Sequence, residues 1–197
     1  MGPLHTALRM RNVEMAEALK TLKGEGKEGD KNEGKSGTYS SLQGDVGDGM
    51  TPDHEPQNAL MEAVSSYQTK RFKKITRDVF TGSSPTAKYQ MSAGICLNLS
   101  EPRHKLTRTY GGAGSGTRAR AVAMIDTALQ GLDVNATADT VRTTIGKVAW
   151  GELQTDQKVV ETIYDQPSVP AKTRDNVKKG MAQVRSLNKS TWTDLYS

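Results

Sequence analysis

Cysteine, aromatic residues and long apolar runs are all scarce in this chain of 197 residues. The single cysteine, Cys96, excludes an internal disulfide and a zinc site made of cysteines. No apolar run approaches the roughly 18 residues that a membrane-spanning helix needs. The N-terminal segment lacks the apolar core of a secretory signal. We therefore expect an intracellular, cytoplasmic protein.

Groups with catalytic or metal-binding character are thinly spread. The three histidines, His5, His54 and His104, fall in a terminal segment, a predicted linker and a predicted turn, and none has a second ligand at helical spacing. Cys96 falls on the polar face of a predicted strand, which is typical of a structural thiol. We expect no cofactor, no bound metal ion and no catalytic residue, and hence a protein that is not an enzyme.

Basic charge is concentrated in the middle of the chain. The whole chain carries 27 basic and 22 acidic side chains, a net charge of +5. Residues 69–120 hold eleven basic and two acidic side chains, a net of +9, whereas segments 1–68 and 121–165 each carry a net of −4. Charge that is concentrated in this way indicates a surface that attracts a polyanion.

The first 57 residues predict an arm and a linker. Residues 1–23 have apolar side chains at helical spacing, which predicts an amphipathic helix. Residues 24–57 are rich in glycine and charge but poor in apolar side chains, which predicts a flexible linker. Such a tether lets the arm dock on its own domain or on a neighbouring copy. The residues expected to mediate self-association are Leu4, Leu8, Met15, Leu19 and Leu22.

Residues 58–187 predict a folded, basic, mainly helical domain. Asn58 can cap a first helix of about six turns, which extends to Val79. From residue 88 onward apolar and polar side chains alternate, which is typical of a half-buried strand, and a shorter strand follows after a turn. Together they predict an antiparallel β-hairpin over residues 87–110.

Helical periodicity dominates the rest of the chain. Helices are predicted over residues 117–130, from Thr137 to Gly151, from Thr155 to Ile163 and around Val177 to Val184, before a C-terminal tail at 188–197. The expected fold class is mostly α (α+β): a helical domain with one antiparallel hairpin, preceded by the tethered amphipathic helix.

A glycine-rich stretch joins the predicted hairpin to the next helix. Backbone amides and a helix N-terminus at such a place can attract phosphate. The stretch has the glycine spacing of a Walker A loop, but Arg118 follows Thr117 where Lys-Ser/Thr is required. A flexible hinge is the other interpretation. The glycines of this loop are Gly111, Gly112, Gly114 and Gly116.

The basic block supplies the candidate binding residues. Consecutive elements usually pack together, so we expect its cations to merge into one positive face. The predicted phosphate contacts are Lys70, Arg71, Lys73, Lys74, Arg77, Arg103, Lys105, Arg108, Arg118 and Arg120. The predicted stacking surfaces for bases are Tyr67, Tyr89 and Tyr110.

These features favour a non-enzymatic, self-associating structural protein that binds RNA or another nucleic acid with little sequence preference. Coat, capsid and nucleocapsid proteins of virions have this role. An alternative is a peripheral matrix-type or adaptor protein that uses the same basic patch on an anionic membrane surface. A third hypothesis is an enzyme that acts on a phosphorylated substrate through the glycine-rich loop; no other small-molecule substrate is indicated.

Overall fold

The computed structural model describes residues 32–43, 49–75, 77–111 and 115–196. The predicted N-terminal helix and its apolar residues therefore lie outside the described residues, as do Gly112 and Gly114. The elements in chain order are β1 (Ser36–Thr38), α1 (Tyr39–Leu42), β2 (Met50–His54), α2 (Asn58–Ser65), β3 (Ile95–Ser100), α3 (Glu101–His104), α4 (Ser115–Leu129), α5 (Ala138–Tyr164) and α6 (Ala171–Thr191), with 3₁₀ turns at Thr86–Lys88 and Met91–Ala93. The mostly helical class with a small antiparallel sheet is confirmed.

The sheet has three antiparallel strands in the order β1-β3-β2. In the central strand, residues 95–99 are all buried, so β3 has covered faces and hydrogen-bonded neighbours on both edges. Leu97 lies opposite Ser36 on one side and opposite Asp53 on the other. The apolar residues of β3 pack against α5 and α6 to form one of the two hydrophobic clusters.

Part of the predicted linker 24–57 is instead ordered structure, because β1 and β2 both come from it. Backbone hydrogen bonds with β3 hold these polar strands, and composition does not reveal such bonds. Gly34 adopts a φ of 86° and packs against the backbone of Asn176 on α6, where a side chain would overlap it. A segment that resembles low-complexity sequence thus contains a position that requires glycine.

The predicted hairpin over 87–110 is wrong in its second strand. After β3 the chain enters α3 at Glu101, with Pro102 in the first turn, where its missing N–H removes no helical hydrogen bond. Leu106 and Tyr110 lie in turns that follow this helix. The strand also begins only at Ile95, since residues 91–93 form a 3₁₀ turn.

The six-turn helix predicted from Asn58 to Val79 ends at Ser65. The hydroxyls of Ser65 and Ser66 both donate to the carbonyl oxygen of Glu62, and the chain then leaves the helix. Phe72 and Val79 are buried, but from irregular backbone. Apolar spacing alone did not distinguish this from a helix.

Two helices that the sequence predicted separately are one helix, α5, which continues through Gly151 and Thr155. The buried positions of α5 continue past Gly151, from Ala149 to Leu153 and on to Val160. The packing of these side chains outweighs the low helix propensity of Gly151. The Thr155 hydroxyl donates to the Gly151 carbonyl within the helix instead of capping a new one. The predicted start of this helix at Thr137 is confirmed, since the Thr137 hydroxyl caps α5 by accepting from the Thr140 amide.

The predicted C-terminal tail, residues 188–197, is ordered as far as the described residues extend, to Tyr196. Helix α6 continues to Thr191, and Trp192 and Leu195 are buried in the second hydrophobic cluster, which joins α2, α4 and the first half of α5. The Leu195 backbone crosses directly over Gly146 of α5. None of the helices in the described ranges combines the length and apolar character that a bilayer crossing requires.

Candidate nucleic-acid interface

Five of the predicted phosphate contacts lie on one loop, residues 70–75 and 77 of the described chain, which we call the basic loop. Phe72 is buried in its middle and anchors it to the core, while the Lys73 amide donates to the Val134 carbonyl at 2.9 Å. The Thr69 amide donates to the carbonyl of Arg77 at 2.8 Å and closes the base of the loop. The loop therefore has a fixed attachment beside the connection between α4 and α5.

The exposed side chain of Arg71 also forms hydrogen bonds with the rest of the protein. Its guanidinium donates to the carbonyl oxygens of Gln130, at 2.7 Å, and Leu132, at 3.1 Å, just beyond the last turn of α4. Carbonyls at a helix C-terminus lack partners within the helix and carry partial negative charge, which a cation stabilises. The hydrogen bonds from Arg71 to these carbonyls hold the basic loop at the C-terminal end of α4.

The other four cations of the loop are free to bind anions. Lys70, Lys73, Lys74 and Arg77 are exposed, and none forms an ion pair with any residue that the structure describes. They lie within eight residues of chain whose base is closed by the Thr69–Arg77 hydrogen bond, so their charges are close together. Exposed cations grouped in this way can contact a phosphate chain without a groove.

Arg118 and Arg120 lie in the first turns of α4, at its opposite end from the basic loop. The Arg118 guanidinium donates to the Ser66 hydroxyl at 2.7 Å, and that of Arg120 to the Thr117 hydroxyl at 3.3 Å. At 1.5 Å per residue, the twelve residues from Arg118 to Gln130 span about 18 Å. The basic loop and the arginine pair at the start of α4 therefore lie at opposite ends of one helix, about 18 Å apart along its axis.

The three cations near α3 do not join this surface, which corrects the prediction of one merged face. Arg103 pairs with the buried Glu33 at 3.1 Å and lies over the Tyr164 ring. Lys105 pairs with Glu101. Arg108 pairs with acids of α5 at 3.0 and 3.3 Å. Each of these positive charges already has a carboxylate partner, so their contribution to a polyanion site is small.

Two of the three predicted stacking tyrosines are buried. Tyr67 is 6% exposed and donates to Asp126, and Tyr89 is 9% exposed, donates to Asn58 and packs against the Trp192 ring. Neither ring can receive a base, which corrects that prediction. Tyr110 is 45% exposed and meets His104 edge to face, so its ring stays accessible.

The glycine-rich loop is described only at its ends. Gly111 has a φ of 70° with open space around it, so it turns the chain after Tyr110 in a conformation that favours glycine. Gly116 belongs to α4. The hypothesis that this loop binds phosphate stays a prediction.

Sequence reasoning missed a second polar feature, a buried carboxylate cluster formed by Asp53, Glu55 and Asp156. All three are at most 4% exposed. Neither oxygen of Asp53 has a hydrogen-bond partner among the described residues, and one oxygen of Glu55 also lacks one. The other Glu55 oxygen accepts from the Gln157 amide at 2.8 Å. Three carboxyl groups therefore share one interior region.

Burial and mutual repulsion change the acidity of the cluster. Burial raises the pKa of Asp156 to about 7, although the Arg108 guanidinium opposes the shift. The pKa of Glu55 is raised well above its ordinary value, again by burial and then by the neighbouring Asp53. Both groups hold protons at pH values where exposed carboxyls are ionised.

Two histidines adjoin the cluster, His54 at the end of β2 and His104 at the end of α3. His104 hydrogen-bonds the Thr51 hydroxyl through Nδ1, and its Nε2 lies 3.3 Å from Asp53. The His54 Nε2 donates to the Met91 carbonyl at 3.1 Å, and its ring stacks on Tyr39. Burial lowers the pKa of His54, so its imidazole is neutral at pH 7. Its Nδ1 has no partner among the described residues.

The sequence contained one signal for this cluster. Asp53, His54 and Glu55 are three consecutive ionisable residues before Pro56, within a stretch whose polarity indicated a linker. The distant partners Asp156 and His104 could not be assigned to them without the sheet pairing. In the described ranges, no group of three or more His, Cys, Asp or Glu side chains is arranged to hold a metal ion. Cys96 is a free, buried thiol, and burial raises its pKa.

Comparison with known proteins gives no match to a family model, a curated protein or a solved structure. The function that follows is therefore inferred from the geometry of the basic loop and the carboxylate cluster.

Proposed function

We propose that the protein is a structural, non-enzymatic nucleic-acid-binding protein whose main contact is the basic loop. The observation that carries this is the exposure of Lys70, Lys73, Lys74 and Arg77 without ion-pair partners among the described residues. Lysine and arginine bind phosphates and release condensed counterions, which drives association without reading sequence. A role of the coat or nucleocapsid type fits such binding.

Little base specificity is expected from this surface. The one accessible candidate ring, Tyr110, lies beside His104 and not on the basic loop. Phe72, the aromatic residue of the basic loop, is buried in the core and cannot stack on a base. Binding therefore depends on phosphate contacts, which position a strand but carry no sequence information.

The affinity for single-stranded RNA in paired charge-reversal variants tests this proposal. Lys73→Glu with Lys74→Glu changes the charge of the loop by four units and should weaken binding at least tenfold. The control is Lys172→Glu with Lys179→Glu, the same charge change on exposed positions in the first half of α6. Equal losses in both variants would show that net charge, and not the loop, governs binding.

The peripheral-membrane alternative uses the same cations. Anionic lipid and RNA both present phosphates, but a bilayer requires apolar insertion for firm attachment. Co-sedimentation with phosphatidylserine vesicles, compared with RNA binding at matched ionic strength, separates them. Stronger attachment to vesicles than to RNA would favour the membrane role.

Self-association through the residues of the N-terminal arm stays a prediction from the sequence, and docking of the arm within its own chain is the alternative to it. Light scattering of the purified protein before and after nuclease treatment tests it. A mass above that of one chain that persists after nuclease indicates assembly by protein contacts. A mass that falls to one chain indicates that nucleic acid alone had joined the copies.

A second candidate function, an enzyme acting on a phosphorylated substrate, is favoured by one observation. Asp53 is buried without a hydrogen-bond donor on either oxygen among the described residues, and it lies beside His104. Arg108 reaches Asp156 of the same cluster, and the chain then continues through Gly111 into the glycine-rich loop. A buried carboxylate 3.3 Å from an imidazole, in a cluster that an arginine also reaches, is suited to acid–base chemistry on phosphate esters.

RNA cleavage tests this second candidate directly. End-labelled RNA incubated with the protein in buffer containing Mg²⁺ would be shortened by the wild type and left intact by His104→Asn. The control variant His5→Asn changes a histidine far from the cluster in sequence and should cleave like the wild type. RNA that stays intact with all three proteins would contradict a phosphodiesterase activity.

A further inference from the structure

A shallow groove runs along the surface between α4 and α5, with a volume of about 620 Å³. Its lining is largely small or apolar and includes Ala123, Met124, Ala128, Val148 and Gly151. Met124 is 37% exposed, which is unusual for a large apolar side chain in this fold. The groove is apolar enough to receive a helix.

Gly151 leaves the floor of this groove open. A Cβ atom at this position would meet no atom within 4 Å. Glycine in the interior of a helix is less stable than alanine, so a glycine usually needs a packing reason. Gly146 of the same helix has such a reason, because the Leu195 backbone crosses it. Nothing among the described residues supplies one for Gly151.

The first 31 residues of the chain contain a segment whose chemistry fits the groove. Apolar residues recur at helical spacing between Leu4 and Leu22, with charged residues of both signs between them. The groove has Lys147 and Glu152 among its lining residues, one charge of each sign. An amphipathic helix with acidic and basic residues on its flanks can pair with both.

The described chain also begins close enough to the groove. Glu33, the second described residue, pairs with Arg103, and five residues later Arg108 pairs with Glu152 on the rim of the groove. The eight residues between Lys23 and Asn32 give nine Cα–Cα steps, which can span about 30 Å when extended. A short tether of this kind gives an effective concentration in the millimolar range within one chain.

We propose that residues 4–22 dock as an amphipathic helix in the groove between α4 and α5 of their own chain, with their apolar side chains against Met124 and Val148. Docking in the same chain covers the exposed Met124 and explains the open space at Gly151. It competes with docking on a neighbouring copy, because one groove holds one segment.

Limited trypsin digestion of the full-length protein tests the proposal. A docked helix protects the bonds after Arg9, Arg11 and Lys20, whereas the bond after Lys27 lies in the tether and serves as internal reference. We expect initial cleavage within the segment to be at least tenfold slower than at Lys27, as measured by intact mass. Met124→Lys and Gly151→Leu should each abolish this protection, while Met91→Lys, a matched exposed methionine away from the groove, should preserve it.

Two results would overturn the proposal. Equal cleavage rates in the wild type and both groove variants would show that the segment does not occupy the groove. Protection that disappears on dilution, together with a light-scattering mass of two or more chains at the higher concentration, would show that the groove receives a segment from a second copy. Gly151→Leu keeps the helix intact because leucine is a stronger helix former than glycine, so lost protection there reports on the groove.

Discussion

Arg71 illustrates how one side chain of the basic loop can serve both the fold and the surface. It donates to two carbonyl oxygens beyond the end of α4, whereas Lys74 in the same loop contacts no described partner. Arg71→Ala should therefore lower the free energy of unfolding by about 1 kcal/mol, since the hydrogen bonds are charge-assisted but exposed. Lys74→Ala should leave stability unchanged.

Urea denaturation of both variants measures this difference. Each substitution removes one positive charge, so their effects on RNA affinity should be of similar size while their stabilities differ. A stability loss shared by both variants would contradict the capping role of Arg71.

The raised pKa of Asp156 predicts that the free energy of unfolding falls as pH rises. Burial holds its pKa at about 7 in the folded protein, against about 4 in the unfolded chain. Between these values the folded state binds more protons, so the free energy of unfolding decreases as pH rises from about 4 to 7. Glu55 contributes in the same direction, because its pKa is also raised.

Asp156→Asn should remove about 2 kcal/mol of this pH dependence, at roughly 1.4 kcal/mol per pKa unit and allowing for relaxation. The comparison is of urea midpoints at pH 5 and pH 8. Asp175→Asn, at an exposed position on α6, is the control and should keep the slope of the wild type. An unchanged slope in Asp156→Asn would show that this carboxyl does not hold its proton in the fold.

At the scale of elements, α5 contains one glycine that has no room for a side chain, Gly146, and one that has room, Gly151. An alanine at Gly146 would overlap the Leu195 carbonyl oxygen, whereas an alanine at Gly151 meets open space. We expect Gly146→Ala to destabilise the protein by about 2 kcal/mol or more, from the forced shift of packed backbone. Gly151→Ala should be tolerated far better, because a Cβ atom there meets no described residue and alanine favours the helix.

Thermal unfolding of the two alanine variants distinguishes these expectations. The substitutions are chemically identical and lie in one helix, so propensity cancels between them. Variants with equal melting temperatures would contradict the close crossing of the C-terminal chain over α5.

Elements that depend on local pattern could be predicted from the sequence, and those that depend on distant pairing could not. The helices of the second half follow a regular apolar spacing, and the cap at Thr137 is a local hydrogen bond. The edge strands β1 and β2 have no such pattern, because they are short and polar and are held by the backbone of β3. Phe72 is buried, but its irregular backbone could not be told from the predicted helix by apolar spacing.

At the scale of the whole molecule, the concentration of charge was visible in the sequence but its pairing was not. The partners of Arg103 and Arg108 lie 70 and 44 residues away, so only the fold shows that their charges are compensated. Among the described cations of residues 69–120, those without an ion-pair partner are the five of the basic loop, Lys88 and the two arginines at the start of α4. The same long-range folding brings Asp156 to Asp53 and creates the carboxylate cluster.

The dependence of RNA affinity on salt tests the central claim most directly. If the basic loop contacts four or five phosphates, the logarithm of the association constant should fall with the logarithm of salt concentration with a slope of about −3 for single-stranded RNA. The variant Lys73→Glu with Lys74→Glu should show a clearly shallower slope and weaker binding, while Lys172→Glu with Lys179→Glu keeps the slope of the wild type. An affinity that does not change with salt, or a slope that the loop substitutions leave unaltered, would contradict nucleic-acid binding by the basic loop.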